Sequence, residues 1–140
     1  MVEELIIIPS IIIGAVIGLY ELIVIHRDEN FRGSHWFSHG LHAGIFAIIF
    51  TFASMNVDYV LSLINLPEDS IFASAIVFRA AVGLLAVIKV HAASAVVRTT
   101  VGSSRGLKQT WVHSFIVGAL IVAAPYVYPL IQPIFPENLQ

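Results

Sequence analysis

Residues 36–64 read WFSHGLHAGIFAIIFTFASMNVDYVLSLI, an apolar run whose sole formally charged side chain is Asp58. A helix that crosses ~30 Å of hydrocarbon needs about 20 mostly apolar residues at 1.5 Å each. This run meets the requirement with residues to spare. Outward from it, residues 5–25, 71–97 and 110–130 qualify as well. Polar punctuation separates them: HRDENFRGS at 26–34, NLPEDS at 65–70 and RTTVGSSRGLKQ at 98–109. Short loops between long apolar runs make neighbouring helices run in opposite directions. The expectation is an all-α polytopic membrane protein, with four transmembrane helices in one antiparallel bundle over residues 1–140.

Composition points the same way. Of 140 residues, 58% are hydrophobic and 11% charged, and the mean hydropathy is +0.90. A soluble domain averages roughly 45–50% apolar and about 25% charged residues. A net charge of −2 with so few charges argues against disorder and against nucleic acid as a partner. The absence of cysteine removes disulfides, thiolate metal sites and thiol nucleophiles. The lipid bilayer is the expected surrounding.

Basic residues set the orientation. Arg27, Arg32, Arg98, Arg105 and Lys108 cluster in the first and third loops, whereas Glu3, Glu4, Glu68, Asp69 and Glu137 mark the other side. Basic loops stay cytoplasmic, which puts 26–35 and 98–109 inside and both termini outside a cell (plasma) membrane. Trp36 and Trp111 then fall at the inner interface, and Tyr59, Tyr126 and Tyr128 at the outer one. Acidic leading residues and the lack of a small-x-small site make the first span a retained helix rather than a cleaved signal. The last span ends in APYVYPLIQPIFP, where prolines without amide donors predict a kink near Pro125 and loss of the helix soon after.

The halves resemble one another. GAVIGLYELIVIHR (14–27) aligns with RAAVGLLAVIKVHA (79–92), pairing Gly18 with Gly83 and His26 with His91. After each comes an Arg-Gly pair, a Trp and a His, which pairs His39 with His113 and Gly44 with Gly118. The pattern suggests a tandem duplication of a helical hairpin, with a pseudo-twofold axis along the membrane normal.

Glu21, Arg79 and Lys89 lie inside apolar spans, where each charge costs roughly 2.5–3.5 kcal/mol at mid-membrane. They are expected to face the interior, water or each other, with Glu21–Lys89 and Arg79–Asp58 as ion pairs. Gly40, Gly44, Ala47, Thr51, Ser54 and Asp58 make one small-or-polar stripe at helical spacing. Gly14-x3-Gly18, Gly40-x3-Gly44 and Ser114-x3-Gly118 fit close helix approach. Packing alone accounts for such stripes in most helices. The functional reading makes Thr51, Ser54, Asp58, Arg79, Lys89 and Glu21 a polar path.

All the histidines fall towards the expected cytoplasmic side. His35, His39 and His42 share a helical face, and His113 is near in depth on the last span, so a divalent metal ion or a proton gate is one use. Haem held between His39 and His113 is a second. The His-x3-His-x2-His run looks superficially like one histidine box of the membrane hydroxylases, a family that needs several boxes and more histidines than the 6 present. Interfacial histidines that merely bond loops and headgroups are the plain alternative. His26 and His91 are read as caps of helix C-termini.

No phosphate loop, serine elbow or HExxH motif occurs, so catalysis is not the favoured role. The leading expectation is a small transport or channel-type protein that moves a cation, metal ion or proton and works as a homo-oligomer. The alternative is a non-catalytic or haem-bearing subunit joined to partner subunits in a larger membrane redox complex.

Overall fold

The computed structural model describes residues 5–27, 36–67, 69–100 and 111–137. Five α-helices account for most of them: α1 (Ile7–Arg27), α2 (Trp36–Met55), α3 (Val57–Ile64), α4 (Ala75–Thr100) and α5 (Trp111–Ile131). Short 3-10 turns precede α4 at Ile71–Ala73 and follow α5 at Gln132–Ile134. No strand occurs among the described residues. Two helices, α4 over Ala75–Ala92 and α5 with its 3-10 extension over Trp111–Ile134, are long and apolar enough to cross a membrane. A third span is added if α2 and α3 count as one bent element.

The run 36–64 is not one straight helix. It breaks at Asn56, and the axis turns by 91°. A straight helix over it would reach about 43 Å, well beyond ~30 Å of hydrocarbon, whereas the 20 residues of α2 reach about 30 Å. Asn56 makes the corner possible. Its side-chain Oδ1 accepts from the Ile6 amide at 2.7 Å, and its Nδ2 donates to the Ile6 carbonyl at 3.1 Å and the Phe52 carbonyl at 3.0 Å. The Ile6 amide at the start of α1 is thereby satisfied inside the protein, and the Phe52 carbonyl, which already accepts from the Asn56 backbone amide at 2.9 Å, gains a second donor. Beyond the corner α3 ends on Asn65, whose φ of 52° is left-handed and whose amide bonds the Leu61 carbonyl at 3.1 Å.

The fourth expected span also differs. The helix runs through Pro125 and Pro129 to Ile131 before tightening into the 3-10 turn. The two prolines stand four residues apart, so the lost donors fall on one face of α5 and the other carbonyls keep their partners.

Small residues set the helix pairs. A Cβ on Gly14 would lie 2.6 Å from the Ile48 Cα, and one on Gly18 would lie 2.6 Å from the Gly44 Cα. In the other pair, a Cβ on Gly118 would meet the Gly83 carbonyl oxygen at 2.9 Å and the Val87 Cγ2 at 2.5 Å. Around these crossings Ile17, Ala47, Val82, Ala86, Val117 and Ile121 form the core. A second cluster of Met55, Ala124 and Tyr128 packs with Ile6 and Phe135. Tyr128 is therefore buried against its neighbours rather than presented on the outer surface.

The polarity of the fold is inverted relative to a water-soluble domain. Ser10, Glu21, Thr51, Ser54 and Ser114 are buried, while many large apolar side chains, including Val16, Ile76, Leu84 and Leu130, are exposed. Such a surface is compatible with a lipid solvent.

Two mutational outcomes follow. Gly18→Ala is expected to destabilise by about 1–3 kcal/mol, since its neighbour is backbone that cannot yield cheaply. Gly44→Ala, whose Cβ would meet nothing within 4 Å, should be neutral or stabilising by about 0.5–1 kcal/mol. Thermal melts in detergent distinguish them; equal losses would contradict the one-sided contact. Asn56→Ala is expected to cost about 2–3 kcal/mol through the stranded Ile6 groups. Asn56→Asp should not rescue it, because a carboxylate cannot donate to the Ile6 and Phe52 carbonyls.

Candidate functional site

α2 ends on Met55, so its last carbonyls lack the amides that a continuing helix would supply. The Arg79 side chain of α4 fills part of this deficit, its Nε donating to the Ser54 carbonyl at 3.0 Å. A cation at a helix C-terminus also suits the helix dipole. The same guanidinium donates from Nη1 to the Tyr126 hydroxyl of α5 at 3.4 Å and lies 5.4 Å from the centroid of the Tyr126 ring. Arg79 thus ties α2, α4 and α5 together at one end.

This use of Arg79 replaces the expected pair with Asp58. Asp58 follows the corner, in the first turn of α3, and is exposed. There it suits the positive end of the helix. No ion pair joins it to Arg79 among the described residues. It borders a cavity of about 320 Å³ lined by Leu5, Ile6, Met55 and Asn56 as well.

The remaining path candidates divide by burial. Thr51 and Ser54 share the inward face of α2 with Ala47, and both are fully buried. Ser114 is fully buried on α5. Among the described residues the hydroxyls of Thr51, Ser54 and Ser114 have no protein hydrogen-bond partner. Glu21 lies on the face of α1 that carries Gly14, Ile17 and Gly18, and is 1% exposed. Lys89 is exposed, with its ammonium 5.5 Å from the Phe46 ring centroid across the α2–α4 contact. Interior placement therefore holds for Glu21, Thr51 and Ser54, is partial for Arg79, and does not extend to Asp58 or Lys89.

Of the histidines, the structure describes the side chains of His42, His91 and His113. His42 is exposed on α2, and His113 is half-buried on α5 with its Nδ1 buried and lacking a hydrogen-bond partner among the described residues. His35 and the side chains of His26 and His39 lie outside the described residues. Among the described residues no three His, Cys, Asp or Glu side chains gather to hold a metal ion. His91 is not a helix cap, since α4 continues to Thr100. Its ring stacks on Trp111 at 3.7 Å between centroids and 9° between planes.

Two positions went unrecognised as structural or polar-site residues in the sequence. Asn56 had one available signal, a lone amide in the middle of an apolar run. Ser114 had its Ser-x3-Gly spacing, which marks a helix contact and so a buried side chain. Compared with known protein families, with curated proteins and with solved structures, the chain matches none.

The roles of Arg79 and Asp58 are separable. Arg79→Ala should cost about 1.5–3 kcal/mol, the range for hydrogen bonds to charged groups. Asp58→Asn should cost only the helix-dipole contribution of about 0.3–1 kcal/mol, and the double variant should show no coupling between the two sites. A coupling energy of about 1 kcal/mol or more would restore the ion pair.

Proposed function

We propose that the chain is an integral membrane protein with four spans, α1, α2, α4 and α5, arranged as an antiparallel bundle. The contacts of Gly14 with Ile48 and of Gly18 with Gly44 support opposed directions in the first pair. In this reading α3, turned 91° from α2, lies in the plane of the interface. A duplicated hairpin is supported by glycine positions. Gly18 and Gly83 align in the sequence, as do Gly44 and Gly118, and each half brings its own two glycines together.

Within that bundle the protein moves a cation, and a proton suits the interior best. The observation that carries this reading is the buried set of Thr51, Ser54, Ser114 and Glu21 inside an apolar exterior. A buried hydroxyl without a partner costs about 1–3 kcal/mol. Water that bridges such groups removes the penalty, given two to four polar neighbours. A chain of hydroxyls and water transfers protons without the width that a hydrated metal ion needs. Glu21 supplies the one fully buried carboxylate among the described residues, and intramembrane carboxylates are the usual stations of proton relays. The histidines would act at the cytoplasmic mouth through their own protonation.

A second reading, a non-catalytic subunit of a larger membrane complex, draws on Lys89. Its ammonium is exposed, and the residue lies about 21 Å along α4 from Ala75, beyond the midplane of a ~30 Å hydrocarbon core. A carboxylate on a partner helix would neutralise it.

Proton flux into liposomes that hold a pH-sensitive dye tests the first reading. Glu21→Gln should abolish flux, Thr51→Val with Ser54→Ala should lower it about tenfold, and Asp58→Asn should leave it intact. Wild-type flux in Glu21→Gln would sink the proton path. Absence of flux in wild type, with Lys89→Gln releasing a co-purifying partner, would favour the subunit.

A further inference from the structure

The face between α4 and α5 carries an apolar groove of about 590 Å³. Its floor is the close approach of Gly83 and Gly118, and the small side chains of Ala80, Ala119 and Ala123 leave it open. Leu84, Phe115 and Tyr126 line it and are exposed. The groove follows about 10 Å of α4, from Ala80 to Val87, and about 16 Å of α5, from Phe115 to Tyr126. The longer edge is about the depth of one leaflet, half of a ~30 Å hydrocarbon core, which is the length one acyl chain fills.

The end of the groove at Ala80 and Tyr126 is charged. There the Arg79 guanidinium lies over the Tyr126 ring and donates to its hydroxyl. No carboxylate pairs with Arg79 among the described residues. The bonds to Ser54 and Tyr126 leave further guanidinium N–H groups for an acceptor, and a planar guanidinium matches a phosphate in a two-point contact. One turn inside the start of α4, its side chain is long enough to reach headgroup level.

We propose that this groove is a phospholipid site, which holds one acyl chain of an anionic phospholipid whose phosphate sits on Arg79. The groove supplies contact for the chain, Arg79 supplies selectivity for net negative charge, and Tyr126 joins the two. This inference rests on the membrane reading and is independent of proton movement.

Native mass spectrometry of the detergent-purified protein, with phosphatidylglycerol or phosphatidylcholine added, tests it. The wild type should retain one phosphatidylglycerol per chain in preference to phosphatidylcholine, with a Tm raised by several degrees. Arg79→Gln should abolish the preference, and Arg79→Lys should keep part of it. Ala119→Phe fills the groove and should lose the lipid although the guanidinium remains; Ala123→Leu repeats the test should that variant fail to fold. Equal retention of the two lipids by wild type, or unchanged retention in the groove-filling variants, overturns the site. An equal rise in Tm with glycerol phosphate, a headgroup without a tail, also overturns it. So does a loss of oligomer in Ala119→Phe with bound lipid unchanged, which would assign the groove to a second copy.

Discussion

A helix that stops among apolar side chains leaves its last carbonyls without donors, and little else in such surroundings can supply them. This is the constraint at the end of α2, and the architecture around it is organised by the need to satisfy it. Asn56 braces the corner, adding a side-chain bond to the Phe52 carbonyl beside its own backbone one and reaching across to the backbone of Ile6. Arg79 reaches from α4 to the Ser54 carbonyl and continues to Tyr126 on α5. Two polar side chains thus connect α1, α2, α4 and α5 at one end of the molecule. The part-buried bonds to the Ile6, Phe52 and Ser54 backbone are worth more than bonds at a wet surface, because a buried group with no partner is costly.

Elsewhere the helices are held by contact rather than by polarity. Gly14 and Gly18 let α1 approach the backbone of α2, and Gly83 and Gly118 do the same for α4 and α5. In lipid, where the surroundings are as apolar as the helix surface, close packing and internal hydrogen bonds replace the hydrophobic effect as the reason to associate. The helix pairs therefore have narrow seams of small residues and broad exposed faces of Ile, Leu and Val. The α4–α5 seam differs in being open on one side, where alanines border it.

Arg79 illustrates how a charge in a membrane helix can be structural and functional at once. Its bond to α2 answers a need created by the corner at Asn56, and its remaining N–H groups are the ones the proposed lipid site would use. Glu21 has a different setting, on the inward face of α1 among glycines and Ile17, so its burial follows from the helix seam rather than from a helix end. Lys89, exposed over Phe46, belongs to neither arrangement. Three charges that look alike in an apolar sequence thus occupy three distinct physical situations.

Helical character, long apolar runs and the glycine spacings were legible in the residues, because hydropathy and periodicity are local properties of the chain. So was the interior position of Thr51 and Ser54, which follows from their place on one helical face. Asp58 shares that spacing but not that fate, since the 91° turn at Asn56 redirects everything beyond it. The span length over 36–64 exceeds a bilayer, yet where it bends depends on Ile6, a residue fifty positions away that offers its backbone to Asn56. Likewise the partner of Arg79 is a carbonyl on another helix, which no side-chain pattern announces. Local chemistry chose the helices and their apolar surfaces; contacts between distant segments chose the corner, its caps and the company each charge keeps.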